Sequence, residues 1–279
     1  MSVPRLLLLL AAAWSLGAQP VRFSIIGDRT GGAAPGVYEQ AMKEIGMLAP
    51  DFVLNAGDTI ERRSSVPPIE QWRAIKGTWR LAGSVPFFMT PGNHDIYSDE
   101  TELIFKRETG HDPFYSFTHR DVHVAVLDNS RTWEIEPRQL AFLEGDLKAN
   151  AGTPIKLIVF HKPYWLEQVE RGDTNFALHQ IAKRFGVTAI LSGHGHRFLY
   201  RRVDGMTYIE TGSAGGGIDT ELKTEGFAGG WFYGFFWAVA DHGQLQLSVK
   251  ELSPPFGKGR LFPAEELEQV PRAVKKATQ

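Results

Sequence analysis

From residue 21 onward, short apolar runs of strand length alternate with segments whose apolar positions return every three or four residues. The strand-like runs are 21–26, 52–54, 85–89, 122–127, 155–160, 187–191, 206–209 and 235–239. Helical periodicity predicts helices over 35–48, 69–81, 98–109, 137–149 and 175–185. Pro137 after Glu136 marks one helix entry, Asp173-Thr174 offers a cap for 175–185, and Gly186 closes that helix. Alternating strands and helices imply βαβ units with largely parallel pairing, hence an α/β fold. Residues 114–129 and 206–253 carry strand-like runs with little helix between them, which predicts a second, more antiparallel sheet. The segment starting Ser253-Pro-Pro reads as a domain exit, leaving 19–253 as the folded domain and 254–279 as a charged, solvated tail.

Composition narrows the classes. The chain has 279 residues, 43% hydrophobic and 22% charged, with a formal net charge of −2, enough apolar material for one sizeable core. Thirty basic and 32 acidic residues are well mixed, so no general nucleic-acid-binding face is indicated. The absence of cysteine excludes disulfides, thiolate metal sites and a cysteine nucleophile. A basic start (Met1 to Arg5), an apolar run over 6–16 and small residues at Gly17-Ala18 have the three-part layout of a secretory signal over 1–18. That run is too short to span a membrane, which takes roughly 20 apolar residues. The expected location is therefore secreted or periplasmic, with no membrane span.

The informative polar residues follow the strands. The first run ends in Gly27-Asp28, the second leads to Gly57-Asp58, and the third to Gly92-Asn93-His94-Asp95. The run at 155–160 enters His161 directly, and the run at 187–191 leads to Gly193-His194-Gly195-His196. Carboxyl ends of parallel strands converge on one edge, where ligands bind. Imidazole, carboxylate and amide donors without thiolate suit Mn, Fe, Zn or Co. Six donors exceed one tetrahedral site, whereas two neighbouring ions sharing a carboxylate would use them all.

These blocks, in this order, resemble the calcineurin-like metallophosphoesterase family over about residues 21–217. The resemblance implies a two-sheet β-sandwich flanked by helices, with two metal ions at one end. Carried over, Asp28 and His196 would hold the first ion, Asn93, His161 and His194 the second, and Asp58 would bridge them. His94 would face the substrate as a catalytic residue, with Asp95 orienting and charging its ring. The family commonly has a histidine two residues after the first aspartate, where this chain has Thr30. Glu61 is a candidate to assist the first ion, and Arg29 to bind substrate phosphate with its guanidinium fork.

The expected activity is hydrolysis of a phosphate ester by hydroxide generated between the metals, with His94 stabilising phosphoryl oxygens and protonating the leaving group. The substrate would be a phosphorylated small molecule or a phosphodiester. A metal- or phosphate-binding module with little or no catalysis is the alternative. Ser192 reads as structural, and His111, His119, His123, His179 and His242 read as surface or core histidines. The aromatic stretch 231–237 reads as strand core, and Trp165 is the tryptophan best placed in the sequence for substrate contact.

Overall fold

A computed structural model describes residues 19–218, 223–253 and 258–270; the signal-like segment 1–18 and the end 271–279 lie outside the described residues. Strands β1 (Val21–Ile26), β2 (Phe52–Asn55) and β3 (Phe87–Met89) are parallel neighbours. They alternate with helices α1 (Val37–Leu48) and α2 (Pro68–Trp79), and α3 (Asp99–Thr109) follows β3. A hairpin of β4 (Tyr115–His119) and β5 (Val122–Val126) opens the second sheet. Helix α4 (Pro137–Ala149) leads to β6 (Ile155–Val159), then α5 (Leu166–Arg171), α6 (Ala177–Arg184) and β7 (Ala189–Ser192). Strands β8 (Phe198–Val203), β9 (Met206–Thr211), β10 (Gly234–Asp241), β11 (Gln244–Glu251) and β12 (Leu261–Pro263) follow.

The sheets are six-stranded, in the orders β12-β11-β10-β1-β2-β3 and β4-β5-β6-β7-β9-β8. Both are mixed. The late antiparallel strands do not form a sheet of their own, as the sequence pattern suggested. Instead β10 pairs antiparallel with β1, and β9 pairs parallel with β7. Each late strand covers an edge that a parallel strand would leave unpaired.

Period-two alternation explains the layering. Phe23 and Ile25, Phe52 and Leu54, and Phe236 and Ala238 face the second sheet in the central core. Their neighbours Ile26, Val53 and Phe235 point the other way, onto Met42, Ile45, Trp72 and Phe105 of α1–α3. The strands β5 and β6 are buried throughout, because helices α4 and α6 cover their outer face with Leu143, Leu147, Leu178 and Ala182. Phe52 ties the layers together: its ring stacks on Phe23 at 4.7 Å and meets Phe117 of the opposite sheet edge-on at 5.6 Å.

Two local findings differ from the sequence reading. Helix α6 starts at Ala177, because the Asp173 carboxylate accepts the Asn175 N–H (2.8 Å) in a turn before the helix and does not cap it. The chain also does not leave the fold at Ser253. Strand β12 pairs with β11, placing Phe262 opposite Val249, and Ala264, Leu267 and Val270 are buried.

Candidate metal centre

Strand register brings the polar strand ends together. Ile26 pairs with Asn55, so Asp28 and Gly57 meet two residues further on, where the Asp28 N–H donates to the Gly57 carbonyl (3.0 Å). In the other sheet Val159 pairs with Leu191, and the Gly193 N–H donates to the His161 carbonyl (2.9 Å). The β1–β3 ends deliver Asp28, Asp58 and Asn93; the β6 and β7 ends deliver His161, His194 and His196. The centre therefore lies across the seam between the sheets.

Backbone conformation there is unusual. Asp28, Asp58, His194 and His196 have φ of 52°, 57°, 75° and 56°. A side chain in this left-handed region costs about 1–2 kcal/mol, so the surroundings must hold it. Hydrogen bonds from distant backbone do so: the Asp28 carboxylate accepts the His194 N–H (2.8 Å), and the Asp58 carboxylate accepts the His94 N–H (2.9 Å). Strain held by its neighbours in this way is a mark of functional sites.

Ligand-atom positions of Asp58, His161 and His194 lie within 4.8 Å of one another, as do those of Asp28, Asp58 and His196. Asp58 is common to both groups. The histidine tautomers are fixed from behind. His161 Nδ1 lies 2.9 Å from the Ala56 carbonyl and His196 Nδ1 lies 2.7 Å from the Gly217 carbonyl. A carbonyl only accepts, so each Nδ1 carries hydrogen and each Nε2 turns to the cluster, as in histidines that bind metal. Asp28 Oδ2, Asn93 Oδ1 and His161 Nε2 are buried without a hydrogen-bond partner. Buried orphans of this kind are rare, and three in one cluster fit a cation.

Charge in the cluster follows its burial. Burial opposes the charged form of Asp58, but the His161 cation 3.2 Å away outweighs it and holds the carboxyl well below the usual range. Burial likewise disfavours the His161 cation, yet the charges of Asp58 and Asp28 raise its pKa to about 9. Burial raises Asp28 to about 6, against the lowering effect of His196 and His161. Burial and the neighbouring His161 cation depress His194 to about 4.

Several sequence-based expectations need correction. Asp95 does not hold the His94 ring: one oxygen accepts the N–H groups of Thr59 (2.9 Å) and Ile60 (3.0 Å), and the other that of Gly92 (2.9 Å). It is the buried bracket of the Asp58 and Asn93 loops. Glu61 takes the role expected of Asp95, with Oε1 2.8 Å from His94 Nδ1. The Arg62 N–H also lies 3.3 Å from that nitrogen, but the shorter contact to a carboxylate is the stronger one and places the proton on Nδ1. Glu61 Oε2 accepts the Gly31 N–H (2.9 Å), so this carboxylate is committed to the loop and the ring, with neither bond directed at a metal. Thr30 is buried, and its single hydroxyl hydrogen points between the carbonyls of Asp58 (3.1 Å) and Ile60 (2.9 Å), which ties it to the neighbouring loop. Arg29 donates to the Thr59 carbonyl (2.9 Å) and its guanidinium lies 5.6 Å over the Tyr38 ring, so it is held by the scaffold on two sides. Trp165 is fully buried with Nε1 donating to Ser192 Oγ (2.9 Å), which makes Ser192 structural, as expected, and removes Trp165 from the site. Trp133, 53% exposed, sets its ring 5.9 Å from that of His194.

Sequence reasoning missed Glu210. Glu210 is buried at the end of β9, beneath Gly195, and burial raises its pKa to about 8. An acid directly after the apolar run 206–209 was the available signal. Gly216 donates its N–H to the Asp28 carbonyl (2.8 Å), so the glycine-rich loop after β9 props the first strand end.

Comparison with known proteins agrees with this geometry. The family profile described as calcineurin-like phosphoesterase matches residues 22–198. Rabbit (Oryctolagus cuniculus) tartrate-resistant acid phosphatase type 5 is 28% identical over 248 residues, covering 72% of this chain and 75% of the rabbit protein. Zebrafish (Danio rerio) serine/threonine-protein phosphatase CPPED1 is 29% identical over 203 residues, covering 63% of this chain and 64% of its own. Among solved structures, purple acid phosphatase PPD1 from yellow lupin superposes with a TM-score of 0.62 at 17% identity, over 88% of this chain and 53% of the lupin protein. GAP50, the anchor in the inner membrane complex of Plasmodium, has a TM-score of 0.61 at 14% identity, over 90% of this chain and 95% of its own. At these identities the structural likenesses establish the fold.

Proposed function

Because the chain belongs to the calcineurin-like phosphoesterase family, we propose that its strand-end cluster is a two-metal centre that hydrolyses a phosphate ester. The observation that carries the reading is the pair of donor groups sharing Asp58, with orphaned buried donors turned into it. Asp28, Asp58 and His196 would hold one ion, and Asp58, Asn93, His161 and His194 the other. When bound, the ions supply Lewis acidity toward phosphoryl oxygens and water.

The protein's own groups supply position and protons. The Ala56 and Gly217 carbonyls fix the ligand tautomers, and the Asp95 bracket fixes the loops that carry Asp58 and Asn93. His94 projects Nε2 toward Asp58 Oδ2 at 3.9 Å, while Glu61 anchors Nδ1. Its Nε2 would stabilise a phosphoryl oxygen and hand a proton to the leaving oxygen. No protein nucleophile is required, since Ser192 is buried under Trp165.

We place the protein outside the cytoplasm on the layout of residues 1–18. Among the described residues no helix is long and apolar enough to cross a membrane. One feature favours a second reading: with Thr30 in place of a histidine, the described residues would offer the first ion Asp28, Asp58 and His196, so a weakly occupied, slowly turning-over centre is the alternative.

The test is hydrolysis of p-nitrophenyl phosphate and bis-p-nitrophenyl phosphate by the full chain, stripped and reloaded with Mn, Fe, Zn or Co. Metal-dependent turnover that Asp58→Ala abolishes together with metal content is the expected result, and the preferred ester assigns mono- or diesterase. Two ions bound per chain with no turnover on either ester would favour the binding reading.

A further inference from the structure

The groove at the centre has two arms that share Arg62 and Asn93. One, about 550 Å³, passes His94 and is lined by Gly31, Gly32, Arg63 and the Glu61 carboxylate, with Arg62 at its border with the other. The other, about 320 Å³, extends past Asn93 and His194 and is lined by Arg62, Tyr97, Arg131 and Lys162, with no carboxylate among its lining residues. Its volume suits one small substituent.

The three cations are not equivalent. Arg131 is paired with Asp99 (2.7 Å) and Glu102 (3.0 Å), so its charge is compensated. Lys162 donates to the carbonyls of Ser130 (2.7 Å) and Thr132 (2.8 Å), which fixes the ammonium at the wall and leaves one of its three N–H groups. Arg62 makes no ion pair among the described residues, and its guanidinium rests 5.0 Å over the Tyr97 ring. An aromatic face orients such a group and leaves its N–H edge open. Two positioned cations without carboxylate partners therefore face one arm, adjacent to two of the candidate ligands.

We propose that this arm is a subsite for a second anionic group, a carboxylate or phosphate carried on the leaving group of the ester, with Arg62 as the residue that selects it and Lys162 beside it. The inference rests on the phosphoesterase reading, since it takes the scissile phosphate to lie at the metal centre. It excludes simple neutral alcohols as the preferred leaving groups.

The experiment uses non-hydrolysable ligands, so that it does not depend on turnover. Binding of 4-(phosphonomethyl)benzoate and of its isosteric carboxamide to the metal-reloaded full chain is measured by calorimetry. One charge-assisted contact predicts about a tenfold advantage for the carboxylate, reduced to less than about threefold in Arg62→Gln. A second phosphonate in place of the carboxylate shows which anion is preferred, and a gain with either supports the subsite. Equal affinity for acid and amide, no binding of either, or an advantage that survives in Arg62→Gln overturns it. Ester hydrolysis measured alongside separates the two failures. Turnover without discrimination removes the subsite alone, and discrimination without turnover removes the hydrolase alone.

Discussion

His161 shows how one residue links burial, charge and metal affinity. Its ring is buried, pinned by the Ala56 carbonyl, and 3.2 Å from Asp58 Oδ2. In the metal-free protein Asp58 and Asp28 keep it protonated up to about pH 9, although burial opposes the charge. A cation can reach Nε2 only when that proton leaves. Metal binding at pH 7.5 should thus release close to one proton from His161, and affinity should strengthen as pH rises toward about 9 and weaken as it falls. Calorimetric titration in buffers of different ionisation enthalpy measures the release directly. A proton count near zero would mean that His161 is not a ligand. His94 differs from this case because its carboxylate partner, Glu61, sits on a loop of intermediate exposure, where burial opposes its charge but the Gly31 N–H and the His94 charge hold its pKa below normal.

At the scale of elements, what matters is how closely two strand ends can approach. A β-carbon on Gly92 would lie 2.1 Å from Asp58 Oδ1, and one on Gly193 would lie 2.5 Å from Asp28 Oδ2. The glycines are there because a carboxylate occupies the space, from the adjacent strand end at Gly92 and from the opposite sheet at Gly193. Gly92→Ala should displace Asp58, so that metal content drops to one ion or fewer per chain while the far-ultraviolet circular dichroism stays native. Gly77→Ala is the control: it lies within α2 with nothing within 4 Å of an added β-carbon, and it should gain roughly 0.5–1 kcal/mol without changing metal content. Elemental analysis of both variants checks the pair. Pro137 at the opening of α4 was legible in the sequence, whereas the Ser98–Thr101 capping box of α3 emerged only in the structure. Helix α5 was not legible, because six residues give too little periodicity to register.

For the whole molecule, the decisive contacts are the long-range ones. The segment after Ser253 reads as a polar exit, with two prolines and two glycines within seven residues. Even so, the chain returns to lay β12 on β11 and to bury Phe262 against Phe227 (5.4 Å) and Phe232 (6.1 Å). Replacing Phe262 by alanine should cost roughly 3 kcal/mol, lowering Tm by about 6–12 °C for a chain of this size. An unchanged melting curve would mean that this segment contributes nothing to stability. Return of a distant segment is a tertiary event, and no local pattern around 254–260 announces it.

The sequence by itself determined the alternation of strands and helices, the strand ends that carry Asp28, Asp58, Asn93, His161, His194 and His196, and the family. These are local properties: periodicity fixes an element, and a glycine beside a polar residue fixes where it turns. Only the tertiary structure decided that β10 joins β1 and β9 joins β7, that Glu61 and not Asp95 holds His94, and that Thr30, Arg29 and Trp165 serve the scaffold. Those outcomes depend on which backbone N–H or carbonyl group from a distant segment satisfies each buried polar side chain, and such pairings exist only once the two sheets have closed.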